Sequence, residues 1–176
     1  GLKLKIDIFD GVNLNPVEEN VTKGVKKYQS GKYDGIIALG GGSAMDVAKT
    51  IRFMAVHDPP LAQYDDAFGG EEKIVNPLPP LYAIPTTAGT GSEVGRSSVI
   101  TIKETGRKTI FFHPDLIPDI AVLDPKLTIG LPPHITAATG MDAFTHCLEA
   151  YLVDNFHPMA DAIAVAGMKL ILENLP

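Results

Sequence analysis

Asp142 and His146 stand four residues apart in Ala137-Ala-Thr-Gly-Met-Asp-Ala-Phe-Thr-His-Cys-Leu-Glu-Ala-Tyr151, a stretch whose apolar content reads as a helix. Side chains at i and i+4 share one helical face, with Cβ atoms roughly 5–6 Å apart. A carboxylate and an imidazole so placed can grip one divalent cation. Taken alone, the pair fits a plainer role better: an Asp–His hydrogen bond that fixes the helix, since a carboxylate in apolar surroundings needs a partner. Two donors also fall short of a closed site, because structural zinc takes four protein ligands and catalytic zinc usually three. His157 is the nearest stand-in for a third. Cys147 points about 100° round the helix from His146 and reads as a buried thiol. Glu149 shares the Asp142–His146 face, where it would either accept from the imidazole or make a surface salt link.

Two other segments carry chemistry. Gly40-Gly-Gly-Ser-Ala-Met-Asp-Val-Ala-Lys49 joins an apolar strand to a helix. Glycines let a backbone approach an anion, and a helix N-terminus supplies free N–H groups with roughly half an elementary charge. Ser43 is expected to cap that helix, with Asp46 as the return arm of a capping box. The spacing departs from G-x-G-x-x-G, with Met45 at the last glycine position, and is no P-loop. Ile84-Pro-Thr-Thr-Ala-Gly-Thr-Gly-Ser-Glu93 follows the next apolar strand and offers the hydroxyls of Thr86, Thr87 and Thr90. In an open parallel sheet, ligands bind at the carboxyl ends of strands. Two such loops would face one crevice. The bland alternatives are a tight turn and a Ser/Thr-rich loop satisfying its own backbone.

The elements that must position these residues follow from pattern. Alternation predicts a strand over residues 4–9. Asn15-Pro16 predicts an N-cap and first helical residue, with a helix from Pro16 to Gln29 stopped by Gly31. Gly35–Leu39 and Leu81–Ile84 read as strands buried on both faces. Ala44–Val56 reads as a helix. His57–Pro80 holds five prolines and reads as a long loop with a possible strand at Lys73–Val75. Ser98–Lys103 and Lys108–Phe112 predict a hairpin, and Ile120–Leu123 a further strand. Two apolar helices follow, over 134–152 and 158–174. Strand–helix alternation to about residue 124 implies an α/β fold with a mostly parallel sheet. We expect a dinucleotide-binding α/β domain over 1–131 and the start of a helical domain over 132–176.

Composition narrows the function classes. The 176 residues are 45% hydrophobic and 20% charged, with a net charge of −6, which is ordinary globular composition. The dispersed acidic residues argue against a nucleic-acid or anionic-membrane surface. No apolar run reaches the ~18 residues of a membrane span. The single Cys147 suits a reducing, cytoplasmic compartment. His57, His113 and His134 neighbour prolines or loops and are expected to be exposed and structural. The chain opens on a strand and closes on an apolar helix, so both ends look cut.

Three blocks, Gly40-Gly-Gly-Ser-x-x-Asp-x-Ala-Lys49, Pro85-Thr-Thr-Ala-Gly-Thr-Gly-Ser-Glu93 and Ala138-Thr-Gly-x-Asp-Ala-x-Thr-His-x-x-Glu149, occur in the order seen in the iron-containing (group III) alcohol dehydrogenases, which the chain resembles. The resemblance implies a Rossmann-like α/β domain, a helical domain of dehydroquinate synthase-like architecture, and an active site between them. It implies hydride transfer between NAD or NADP and a small alcohol or carbonyl polarised by Fe2+ or Zn2+. It places Gly41, Gly42 and Ser43 on the pyrophosphate, and Thr86, Thr87 and Thr90 along the cofactor cleft. Lys108 falls near the nicotinamide-side ribose. Asn15 matches the asparagine of the family's Pro-Asn-Pro, with Leu14 in place of the first proline. Asp142 and His146 match the first two metal ligands. The remaining two, both histidines, would lie downstream and the ribose-reading acid upstream, as if the chain were the middle half of a family member. No residue is assigned as a general acid or base. The alternatives are a catalytically inactive nucleotide-binding fragment and a glycerol dehydrogenase-like relative. A homo-oligomer is possible; nucleic acid and membrane are not expected partners.

Overall fold

The computed structural model describes residues 5–176. Residues 5–10 form no strand, and Leu4, the first residue of the expected one, lies outside the described residues. A strand needs a neighbour to take its N–H and C=O groups. Here the segment instead runs beside the first helix. Lys27 Nζ donates to the Ile8 carbonyl, Lys5 Nζ to the Gly31 carbonyl, and the Tyr33 hydroxyl to Asp7. Ile6 and Ile8 are left exposed.

Helix α1 spans Glu18–Gly31, later at both ends than expected. At its start, the Thr101 N–H donates to the Pro16 carbonyl at 2.8 Å, which keeps residues 16–17 extended. Asn20, not Asn15, then serves the helix start. Its side-chain oxygen accepts the Val17 N–H at 2.9 Å while its Nδ2 donates to the Gly11 carbonyl at 2.6 Å. At the other end the helix runs through Gly31 and turns at Lys32, which takes φ 52°.

Strands β1 (Ile36–Gly40) and β2 (Leu81–Pro85) pair in parallel, and β5 (Ile120–Ala121) joins the far edge of β2. Strands β3 (Ser97–Thr101) and β4 (Lys108–Phe112) form the expected antiparallel hairpin, with Gly106 at φ 64° in the turn. Helix α2 (Gly42–Met54) lies between the two sheets, and almost every residue from Met45 to Met54 is buried. One side of it, Met45 and Ala48, covers Ala38, Leu81 and Ala83. Another, Val47, Ile51, Phe53 and Met54, meets Val21 of α1 and Ile100 and Phe111 of the hairpin. Strands β1 and β2 are buried on one face only. Ile37 and Leu39 are 53% and 61% exposed, because α2 covers the Ala38 side and no described element covers the other.

Residues 57–80 fold into three short 3-10 turns, Leu61–Tyr64, Asp66–Phe68 and Gly70–Lys73, with no strand at 73–75. His57 explains this. Its ring, which we expected to be exposed, is partly buried; Nδ1 meets the Phe53 carbonyl at 2.7 Å, and Nε2 accepts the N–H groups of Val75 and Asn76. Those donors are therefore unavailable to a ladder. Helices α3 (Pro133–Leu152) and α4 (Pro158–Asn174) pack on each other as a hairpin. His157 caps α4, its Nδ1 accepting the Ala160 N–H at 3.2 Å. No described helix is long and apolar enough to cross a membrane.

Candidate functional site

Parallel pairing brings the carboxyl ends of β1 and β2 together. Gly40 lies opposite Pro85, and the Thr86 N–H donates to the Gly40 carbonyl at 2.9 Å. The two glycine-bearing loops therefore leave the sheet side by side. Gly40 takes φ 149°, which other residues rarely adopt, and turns the chain into α2. A methyl group on Gly41 would lie 3.3 Å from Thr87 Cγ2, and one on Gly42 would lie 2.7 Å from Thr90 Cγ2. A side chain at Gly42 would displace Thr90, and one at Gly41 would crowd Thr87. What remains between the loops is a backbone-lined approach to the N-terminus of α2. That N-terminus begins at Gly41 with no side-chain cap, so its first N–H groups are open to an anion.

The capping box expected of Ser43 and Asp46 does not form. Ser43 Oγ donates to the Leu14 carbonyl at 2.6 Å, tying α2 to the segment before α1. Asp46 turns inward, where Oδ1 accepts from Ser92 Oγ at 2.8 Å and Oδ2 from the Val99 N–H at 3.1 Å. Each backbone or hydroxyl partner competes with the cap, and the buried ones win because an unpaired carboxylate there would cost more. Burial raises the Asp46 carboxyl above its ordinary range, against the two hydrogen bonds and Lys49, which lower it.

Five of the eight expected cofactor residues line one groove of about 190 Å³: Asn15, Gly42, Ser43, Thr90 and Lys108. The same groove takes in Pro16, Asp46, Val99 and Thr101, which the sequence reading left out of the cofactor set. Gly41, Thr86 and Thr87 do not line it and instead meet where the two loops touch. The reading also missed Lys49 and Ser92, both buried beside Asp46. A signal for Lys49 was available: it follows Asp46 by three residues, on the same helical face, in an apolar helix.

Asp142 and His146 meet as the spacing demands, with His146 Nε2 3.9 Å from Asp142 Oδ1. Neither is buried; their side chains are 45% and 53% exposed. The plainer role as a buried helix-fixing bond therefore fails on both burial and distance. A carboxylate and an imidazole turned to solvent on one face suit two positions of a divalent cation. No group of three or more such donors occurs among the described residues, and His157 is committed to capping α4. Cys147 is partly buried and packs toward Gly167 of α4, so it faces the hairpin and not a metal. A larger cavity of about 380 Å³ lies between Ala88–Gly89 and the α3–α4 hairpin. Its walls are mostly apolar and carry no titratable side chain.

The model of the family described as iron-containing alcohol dehydrogenase matches residues 1–125, and that of its C-terminal region matches residues 136–176. The chain belongs to the iron-containing alcohol dehydrogenase family. Its relatives include a 4-hydroxybutyrate dehydrogenase of Cupriavidus necator, 46% identical over 94% of this chain and 43% of that protein. A crystal structure of a 1,3-propanediol oxidoreductase superposes with a TM-score of 0.90 at 44% identity, over 96% of this chain and 43% of that one. A sulfoacetaldehyde reductase of Bifidobacterium kashiwanohense, solved in complex with NAD+, superposes with a TM-score of 0.83 at 34% identity, over 94% and 43% of the two chains. The chain thus spans less than half the length of these family members. The likeness covers both the α/β part and the helical hairpin, in agreement with an α/β fold.

Proposed function

We propose that the protein carrying this chain transfers hydride between a nicotinamide dinucleotide, NAD or NADP, and a small alcohol or its carbonyl. The observation that carries the reading is the seating of Gly41 and Gly42 against Thr87 and Thr90 at the open N-terminus of α2. Backbone N–H groups there suit a pyrophosphate. Thr90 adds a hydroxyl, Lys108 on β4 adds a cation, and Ser43, whose hydroxyl donates to the Leu14 carbonyl, lines the groove beside them. Asn15 sits where its amide can bond a ribose or carboxamide. The family's relatives are dehydrogenases and a reductase, and one was solved with NAD+.

On this reading residues 1–131 form the dinucleotide domain, and residues 132–176 begin a helical domain that presents Asp142 and His146 as two ligands of Fe2+ or Zn2+. A bound cation of this kind polarises an alcohol or carbonyl oxygen as a Lewis acid. The chain's own residues then have mainly to orient: the glycine loops hold the dinucleotide, and α3 holds the pair that fixes the metal. No side chain of the groove is needed as a strong base.

The absence of a third donor among the described residues favours a second reading, a nucleotide-binding module that retains no metal by itself. Metal analysis separates the two. In the whole protein, Asp142→Ala should abolish metal retention and leave dinucleotide binding intact, whereas Ser43→Leu should weaken dinucleotide binding and leave metal content intact. Metal kept by Asp142→Ala removes the ligand role. Unchanged affinity in Ser43→Leu makes the glycine loop a mere turn.

A further inference from the structure

Lys49 is among the largest fully buried side chains of the described chain, at 0% exposure. A buried ammonium is costly unless all its donors are matched. Here they are: Nζ donates to Ser92 Oγ at 3.0 Å, to the Gly95 carbonyl at 2.8 Å and to the Ser97 carbonyl at 2.9 Å. Three acceptors meet the three donors of –NH3+. Ser92 Oγ donates its own hydrogen bond to Asp46 Oδ1, and Asp46 Oδ2 accepts from the Val99 N–H.

The elements joined by this cluster are those that frame the groove. Asp46 and Lys49 belong to α2, one and two turns after its glycine start. Ser92 ends the threonine loop that leans on Gly42 through Thr90. Gly95, Ser97 and Val99 lead into and along β3, which carries part of the groove wall. Asp46 and Val99 line the groove directly. Hydrophobic packing on α2 alone would not fix the loop's height above the helix, whereas three directional bonds from one buried cation do.

We propose that Lys49 is a positioning residue for the dinucleotide: in its charged form it clamps the Ser92 end of the threonine loop and the start of β3 to α2, and so sets the width of the cofactor groove. This rests on the reading of that groove as a dinucleotide site. Deprotonation would remove one of three donors and turn a lone pair toward acceptor oxygens, so the clamp loosens as the amine loses its charge. The charged groups that face Lys49 are Asp46 on α2 and Glu93 on the threonine loop. Burial lowers the Lys49 ammonium to about 8, opposed by Asp46 and Glu93. The clamp is therefore closed at neutral pH and opens within an accessible range.

The test is NADH and NADPH binding to the whole protein, followed by cofactor fluorescence from pH 6.5 to 9.5, for the unsubstituted protein, Lys49→Met and Ser92→Ala. The unsubstituted protein should bind one of the two, with affinity falling through about pH 8. Lys49→Met should bind about tenfold more weakly and lose that inflection, as expected for one charge-assisted bond. Ser92→Ala, which keeps the two carbonyl bonds to Lys49, should bind several-fold more weakly; it decides the matter if Lys49→Met does not fold. Unchanged affinity in Ser92→Ala, or a folded Lys49→Met with the parental affinity and pH profile, overturns the clamp while leaving the dinucleotide reading intact. Failure of the unsubstituted protein to bind either dinucleotide overturns both.

Discussion

Removing the Arg52 guanidinium would strand four acceptors at once. Arg52 is buried; its Nε donates to the Pro79 carbonyl, Nη1 to the carbonyls of Asp115 and Ile117 at 2.8 and 3.0 Å, and Nη2 to Asp119 Oδ2 at 2.7 Å. Asp119 in turn accepts the N–H of Leu81, the first residue of β2. One side chain thus anchors the entry to two strands. Arg52→Met keeps the apolar stem and should destabilise the fold by about 3 kcal/mol, toward the low end for a broken buried pair because Asp119 is half exposed and water can reach it. Urea unfolding measures this; an unshifted midpoint would show that water replaces the guanidinium at no cost. Arg52 and Lys49 were both legible as residues but not as roles, because acceptors from distant segments have no local signature.

Between elements, a close backbone contact joins the threonine loop to α3. A methyl group on Gly89 would lie 2.5 Å from the Thr139 carbonyl oxygen and 2.8 Å from Thr139 Cβ. Backbone on one side and a β-branched residue on the other leave little room to yield. Gly89→Ala should therefore push the loop and the helix apart. On the proposed function the dinucleotide would still bind and the metal would still be held, but the distance between them would grow. We expect turnover of the whole protein to fall roughly 10- to 100-fold, the range for a displacement near 1 Å, with dinucleotide affinity and metal content little changed. Undiminished turnover would show that this contact does not set the spacing. Helices α3 and α4 were predicted nearly to the residue, because proline at the first helical position and long apolar runs are local signals. Their approach at Gly89 was not, since nothing near Gly89 in sequence mentions Thr139.

At the scale of the whole molecule, the groove places two ionisable groups where folding disfavours their charge. Lys49 has a folded value near 8 against an ordinary 10.5. Between those values the folded chain holds fewer protons than the unfolded one, so its contribution to stability rises with pH. Below about 8 the full cost of the buried charge is present. Asp46 is shifted upward; the folded chain then holds more protons between 3.8 and the raised value, and stability falls as pH rises through that window. Both charges thus cost stability near neutrality, where the proposed clamp needs them. Unfolding free energies of the unsubstituted protein and Lys49→Met, compared at pH 7.5 and 9.5, should shift in favour of the unsubstituted protein at the higher pH. A difference independent of pH would mean Lys49 does not titrate there. Dinucleotide affinity is expected to move the opposite way over the same interval, which separates a loosened groove from a loosened fold.

Local pattern determined the order of elements, the β3–β4 hairpin, the α3–α4 hairpin and the i, i+4 meeting of Asp142 with His146, because each depends on residues within a turn or two of one another. The motif order was enough to indicate the family. Tertiary structure alone decided the rest. Residues 5–10 form no strand because no described strand pairs with them, and β1 and β2 keep an open face because α2 covers one side and no described element covers the other. His57 took the N–H groups that a strand at 73–75 would have used. Ser43 and Asp46 left the predicted cap for Leu14 and Ser92, and Lys49 found three acceptors from a different segment. In each case a polar group chose among partners far apart in sequence, and burial fixed the choice through the cost of leaving it unpaired.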